Sequence, residues 1–149
     1  MSFRSLLIIL LLGLLPPDGA EDGRTGNRHF EAGRYDEAAR AYTRGLEAAP
    51  AEARGLRTRL YQNLGSAQYR QEQFEDAQTA FDRGLQLAES ADARATLAYN
   101  AGNAAFQREE LEAAADYYRR ALLADPSRRD AKYNYELVQR RLQERRSQR

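Results

Sequence analysis

Residues 100–126 read NAGNAAFQREELEAAADYYRRALLADP, and the spacing of small and large side chains in this stretch decides the fold. Small residues at Gly102, Ala114 and Ala121 alternate with large apolar ones at Phe106, Leu111, Tyr118 and Leu122. Neither Gly nor Pro interrupts the run from Ala104 to Asp125. This is helical periodicity. The apolar phase changes near Arg108 to Glu110: Ala98, Gly102 and Ala105 share one face, whereas Leu111, Ala114, Tyr118 and Ala121 share another. Two antiparallel helices joined by a short turn follow.

The stretch resembles the tetratricopeptide repeat, a helical hairpin of about 34 residues whose small, aromatic and Pro positions are filled here by Gly102, Leu111, Ala114, Tyr118, Ala121 and Pro126. In the same register a first repeat carries Gly26, Tyr35, Ala38, Tyr42, Gly45 and Pro50. A second carries Gly65, Phe74, Ala77, Phe81 and Gly84, with Glu89 in place of the Pro. The resemblance implies an all-α solenoid of about three antiparallel helix pairs plus a C-terminal capping helix. The small residues mark where paired helices approach closest, and the aromatic ring of each second helix fills the space between them.

Outward from that stretch, the repeats fall at about 19–52, 58–91 and 95–128, within a repeat domain spanning 21–142. The register glycines Gly26, Gly65 and Gly102 are 39 and 37 residues apart. The extra residues lie around 50–57 and 89–94, where Ala and Arg favour additional helical turns over loops. In the first repeat Asp22, Gly23 and Thr25 stand where large apolar residues belong, so its first helix is expected to be short or frayed at its start. After Pro126, Ser127 and Asp130 suggest a capping-box start. Ala131, Tyr135, Val138 and Leu142 then form one face of a capping helix over 129–142, and the basic tail 143–149 is expected to fray.

The N-terminal residues have the pattern of a secretory signal peptide over 1–20: a positive start at Arg4, an apolar run from Leu6 to Leu15 interrupted by Gly13, then Pro16 and Pro17. Cleavage after Ala20 is expected, although Asp18 stands where a small neutral residue is usual. The run is shorter than the roughly 20 apolar residues of a spanning helix. An exported protein of the periplasm or membrane-associated envelope is therefore expected.

With 23 basic and 22 acidic side chains, the 149 residues carry no imbalance that would recruit nucleic acid or a membrane globally. The absence of Cys excludes disulfides, thiolate metal sites, a cysteine nucleophile and a lipoprotein anchor. The basic residues are nearly all Arg, a bias attributed to coding with no physical role. His29 has no second His and no spaced metal ligands beside it, and reads as a packed imidazole. The acidic pairs Glu75/Asp76 and Glu109/Glu110 sit at turns into second helices, where they complement the helix dipole. No enzyme, metal or cofactor is expected, and no small-molecule substrate. The basic C-terminal segment reads as a solvated helix face, with an anionic membrane surface or an acidic partner as the alternative.

The residues that suggest chemistry lie on the first helices. In the family, certain positions of these helices face the concave groove. Here they carry Asn27, Phe30, Asn63, Ser66, Tyr69, Tyr99, Asn100, Asn103, Phe106 and Asn134. An Asn amide both donates and accepts, so a row of them can pair with the backbone of an extended peptide while the rings take its side chains. Local helix packing is the other reading of the same Asn row. Relatives that clamp a C-terminal dicarboxylate use a set of Lys, Asn and Arg, of which Asn27 and Asn63 match, whereas Gly23, Thr96 and Asn100 do not. Residues 130–142, DAKYNYELVQRRL, also resemble the closing segment of bacterial aerotolerance-operon (Bat-type) repeat proteins. Together these imply an envelope adaptor or scaffold whose groove binds a protein or peptide, a membrane-anchored envelope protein being among the partners this allows. The alternative is a structural subunit that oligomerises or stacks on a membrane complex without recognising a peptide.

Overall fold

A computed structural model describes residues 18–148. The expectations for Arg4 and the apolar run fall outside these residues. Seven helices follow one another: α1 (Ala20–Glu31), α2 (Tyr35–Ala48), α3 (Arg54–Arg70), α4 (Phe74–Leu87), α5 (Ala91–Gln107), α6 (Leu111–Ala124) and α7 (Arg129–Ser147). There is no strand among the described residues, and none of these helices is long and apolar enough to cross a membrane. Each helix packs chiefly on its neighbours in sequence, and the first helices also touch, α1 with α3 and α3 with α5. They line one wall of a solenoid of three helix pairs closed by α7.

The register glycines explain why the pairs form. A Cβ built on Gly26 would lie 2.4 Å from the Tyr42 ring, on Gly65 2.6 Å from Phe81, and on Gly102 2.7 Å from Tyr118. Those three rings are among the largest fully buried side chains, and Ala38, Ala77 and Ala114 beside them have no exposed surface. Burying each ring contributes roughly 1.5–3 kcal/mol. The helices turn on Gly33, Glu72 and Glu109, all with positive φ (73°, 61° and 58°). There Arg34, Gln73 and Glu110 donate N–H bonds back to His29, Gln68 and Ala105 carbonyls at 2.9–3.0 Å, the six-to-one bond of a Schellman motif. Glu109 is therefore a turn residue rather than a dipole partner, and its carboxylate faces Arg145 at 3.4 Å.

The extra residues between repeats extend α3 and α5 to 17 residues, against 12 in α1. Ser90 caps α5, accepting from the Ala93 amide at 3.1 Å. Helix α1 is short, but its start is anchored, contrary to the expectation of fraying. Gly19, at φ 80°, is packed so closely that a Cβ would fall 2.1 Å from the Gly45 carbonyl oxygen. The Ala20 amide donates to the Asp18 carboxylate at 2.9 Å. Backbone proximity replaces the missing large side chains, and cleavage after Ala20 would remove these contacts with Asp18 and Gly19.

Arginine has a structural role that its coding bias did not suggest. Arg57 donates to the carbonyls of Leu46 and Ala49 at 2.9 and 3.0 Å, and Arg94 to those of Ala88 and Glu89 at 3.4 and 2.8 Å. Each stands eight residues before its register glycine and satisfies carbonyls at the end of the preceding second helix, where a cation also suits the dipole.

Two expectations for the C-terminus are corrected. Ser127 does not cap α7: its amide and hydroxyl both donate to the Asp125 carboxylate, at 3.0 and 2.7 Å, and Arg128 occupies the N-cap. These bonds hold the exposed Asp125 carboxyl below its ordinary range. The tail is helical through Ser147, because the buried Leu142 is followed by Arg145 facing Glu109, and because Arg141 lies 4.8 Å from the Phe106 ring. Glu136 occupies the α7 position corresponding to Gly102, where the close ring approach made at Gly102 has no counterpart.

Candidate functional site

The groove is lined mainly by the first helices, whose positions repeat, with Tyr42, Phe81 and Tyr118 of the second helices reaching into it. Three adjoining concavities form it. One of about 170 Å³ includes Asn27, Phe30, Asn63 and Ser66. A central one of about 320 Å³ includes Phe30, Ser66, Tyr69, Asn100 and Asn103, and one of about 250 Å³ includes Tyr69, Asn103, Phe106 and Asn134. Shared walls at Phe30, Ser66, Tyr69 and Asn103 make them continuous. Tyr99 lies apart from these walls, packed between Arg128, 4.7 Å from its ring, and Tyr118, whose ring centroid is 5.9 Å away.

Several of the polar groups are already engaged. Asn27 Oδ1 accepts from the Tyr42 hydroxyl at 2.8 Å and from Asn63 Nδ2 at 3.0 Å. Asn103 Oδ1 accepts from the Tyr118 hydroxyl at 2.8 Å and from Asn134 Nδ2 at 3.2 Å. Each set ties a repeat's own helices together and then ties that repeat to the next one, so Asn27, Asn63, Asn103 and Asn134 serve local helix packing. The Ser66 hydroxyl donates to the Gln62 carbonyl at 2.9 Å.

The hydroxyls of Tyr42 and Tyr118 were missed by treating that position as a core ring. Tyr rather than Phe, paired with Asn fifteen residues earlier in the same repeat, was the available signal. Burial pushes the Tyr42 hydroxyl up to about 12 and Tyr118 higher still, with the Asn134 hydrogen bond partly opposing the shift at Tyr118. Both therefore remain neutral donors at ordinary pH.

The rings are positioned from within each hairpin. Phe30 meets Tyr35 and Tyr69 meets Phe74 edge to face, centroids 5.2 Å apart in both cases. In the third repeat Leu111 replaces that partner, and Phe106 is covered by Arg141 instead. Arg70, also unanticipated, sits at the rim of the central concavity and donates Nε and Nη2 to the Tyr35 hydroxyl at 3.2 and 2.9 Å. Away from the groove, the His29 Nδ1 accepts from Arg34 Nε at 3.1 Å and helps fix the first turn. The floor is made largely of amides and rings, with the charged Glu31 and Arg70 among its lining, an arrangement suited mainly to uncharged polar and apolar groups.

A family model described as tetratricopeptide repeat matches residues 24–59 and 63–133. The chain belongs to the tetratricopeptide repeat family. Solved tetratricopeptide domains share its fold. The first such domain of Spaghetti (RPAP3) bound to an HSP90 peptide, SRMEEVD, is 26% identical, with a TM-score of 0.74 over 86% of this chain and 95% of that one. The first domain of human RPAP3 is also 26% identical, with a TM-score of 0.75 over 89% and 98%. The Sgt2 domain of Aspergillus fumigatus is similar in fold, with 20% identity and a TM-score of 0.74 over 88% and 83%. Comparison with curated proteins gives no match. Within this tetratricopeptide groove, Gly23 and Asn100 provide no cation, and the Thr96 hydroxyl accepts from Arg128 at 3.1 Å.

Proposed function

We infer that this protein is an interaction module that holds an extended segment of a partner protein in its concave groove. The observation that carries this reading is the continuous wall of amides and rings from Asn27 to Asn134, contributed by α1, α3, α5 and α7. A relative of the same fold holds a peptide, which supports the choice of ligand class. The groove here differs in charge: with Gly23, Thr96 and Asn100 at the clamp positions, it favours an internal, neutral segment over a free acidic terminus. Binding and not catalysis is the activity.

The partner is assigned to the bacterial cell envelope on the signal-like residues 1–20 and on the resemblance of residues 130–142 to the Bat-type group. Cell fractionation tests this assignment: mature chain in the periplasm or on the envelope is expected, and full-length chain in the cytosol alone would sink it. The groove itself is tested by screening the protein against a library of N-acetylated, C-amidated heptapeptides, with free-acid SRMEEVD for comparison. Blocked heptapeptides should bind better than the free acid. Tyr69→Ala with Phe106→Ala should abolish most of that affinity, since aromatic anchors dominate such contacts, whereas Arg145→Ala with Arg146→Ala should alter mainly the salt dependence.

A second reading, self-assembly, draws on Leu123, which is 73% exposed on α6 beside a concavity that includes Leu85, Ala98 and Ala124. Mass measured on dilution separates the two, because an obligate assembly does not persist as a monomer.

A further inference from the structure

The three rungs across the groove are not equivalent. At the outer two, the amide of a first-helix Asn (Asn63, Asn134) donates to the side-chain oxygen of an Asn in the preceding repeat (Asn27, Asn103), and a Tyr hydroxyl donates to that same oxygen. The middle rung has the third Asn, Asn100, but both of its partners are changed. Phe81 stands where the Tyr would be and has no hydroxyl, and Ser66 stands where the acceptor Asn would be, with its hydroxyl donating to Gln62. No side chain among the described residues bonds the Asn100 amide, which lines the central concavity together with Phe30, Tyr69 and Phe81.

We propose that Asn100 is the recognition contact of the groove, holding the peptide group of a bound segment where the outer rungs hold an Asn side-chain amide. At the outer rungs the acceptor is an uncharged amide oxygen, and a peptide carbonyl is the same functional group. Asn100 Nδ2 donates to it while Oδ1 accepts the N–H of the same residue, a pairing that a single Asn amide can satisfy. Phe30 and Tyr69 flank the site and take the apolar side chains on either side. The occupant is thus an extended, uncharged stretch of protein, and it fills the one Asn rung left open between the second and third repeats, which are joined elsewhere by Tyr117 with Asp82 and Arg108 with Gln78. This rests on the groove reading, and sharpens it from a row of amides to one.

The test uses the best binder from the blocked heptapeptide library and the melting midpoint of each variant. Asn100→Ala should weaken the heptapeptide roughly tenfold and leave the midpoint unchanged, because it removes hydrogen bonds made only to the peptide. Asn63→Ala and Asn134→Ala should lower the midpoint. Ser66→Asn with Phe81→Tyr installs the missing rung from within the chain, so it should raise the midpoint and weaken the heptapeptide. On titration of the wild-type protein the Asn100 side-chain amide resonance should shift, a readout independent of whether the double variant folds. Equal affinity in the wild-type and Asn100→Ala proteins, or an unmoved Asn100 resonance on saturation, overturns the rung and leaves the groove reading standing. A library without any binder overturns both.

Discussion

Glu72 holds a left-handed backbone, φ 61°, at the turn where the first repeat has Gly33. An L side chain in that region costs roughly 1–2 kcal/mol and a glycine's extra unfolded-state freedom costs roughly 0.5–1 kcal/mol. Glu72→Gly should therefore stabilise the protein by up to about 1 kcal/mol, read as a higher denaturant midpoint; a lower midpoint would mean that the Glu72 side chain contributes more than its strain costs. The buried hydroxyls give a pH dependence. Tyr42 and Tyr117 are pushed up to about 12, chiefly by burial and, at Tyr117, by its hydrogen bond to the Asp82 carboxylate as well. The unfolded chain ionises its tyrosines near pH 10, so their contribution is intact below that value and is lost as pH rises from there to about 12. The melting midpoint should fall through this window, and Tyr42→Phe should flatten the fall. A midpoint that stays level to pH about 12 would contradict the burial of these hydroxyls. Neither effect was legible in the sequence: the left-handed Glu is indistinguishable from any other turn residue without a backbone, and Tyr in a core pattern reads as a ring, not as a donor.

At the scale of the element, the same substitution should have opposite signs at two glycines of α3. Gly65→Ala would place a methyl within 2.6 Å of the Phe81 ring and should cost about 1–3 kcal/mol; Gly65→Leu should cost at least as much. Trimming the ring with Phe81→Leu should recover part of the loss. At the exposed Gly55, where the nearest atom to a new Cβ is Arg59 Nη1 at 3.8 Å, Ala should stabilise the helix by up to about 1 kcal/mol. Thermal melts of these variants check both signs, and an unchanged midpoint for Gly65→Leu would dissolve the register. That register was readable from Gly26, Gly65 and Gly102 because close approach leaves a compositional mark at fixed spacing. The anchored start of α1 left none, since Gly19 acts through its backbone alone. Nor could the pairing of Asn27 with Asn63 be told from two free rungs, because a shared hydrogen bond needs coordinates, whereas a repeating residue type needs only a sequence.

Over the whole molecule, packing runs from neighbour to neighbour, so stability is shared locally. Helix α7 covers Leu111, Ala115 and Tyr118 with Val138 and Leu142. Val138→Asp should therefore destabilise the protein through an unpaired buried charge, on the order of 3–5 kcal/mol, read as a lower midpoint. Hydrogen exchange should also quicken in α5 and α6 before α1 and α2, whereas uniform quickening would show that the chain behaves as a single unit. The linear order was legible, since a repeat period implies a stack. The same stack has a mechanical consequence. Tension applied to the two ends acts mainly on contacts between neighbouring helices, so the chain should peel open one hairpin at a time. The join between the second and third repeats lacks the Asn-to-Asn bond but keeps those of Tyr117 with Asp82 and of Arg108 with Gln78, so a peptide seated at Asn100 should add to the resistance already present there.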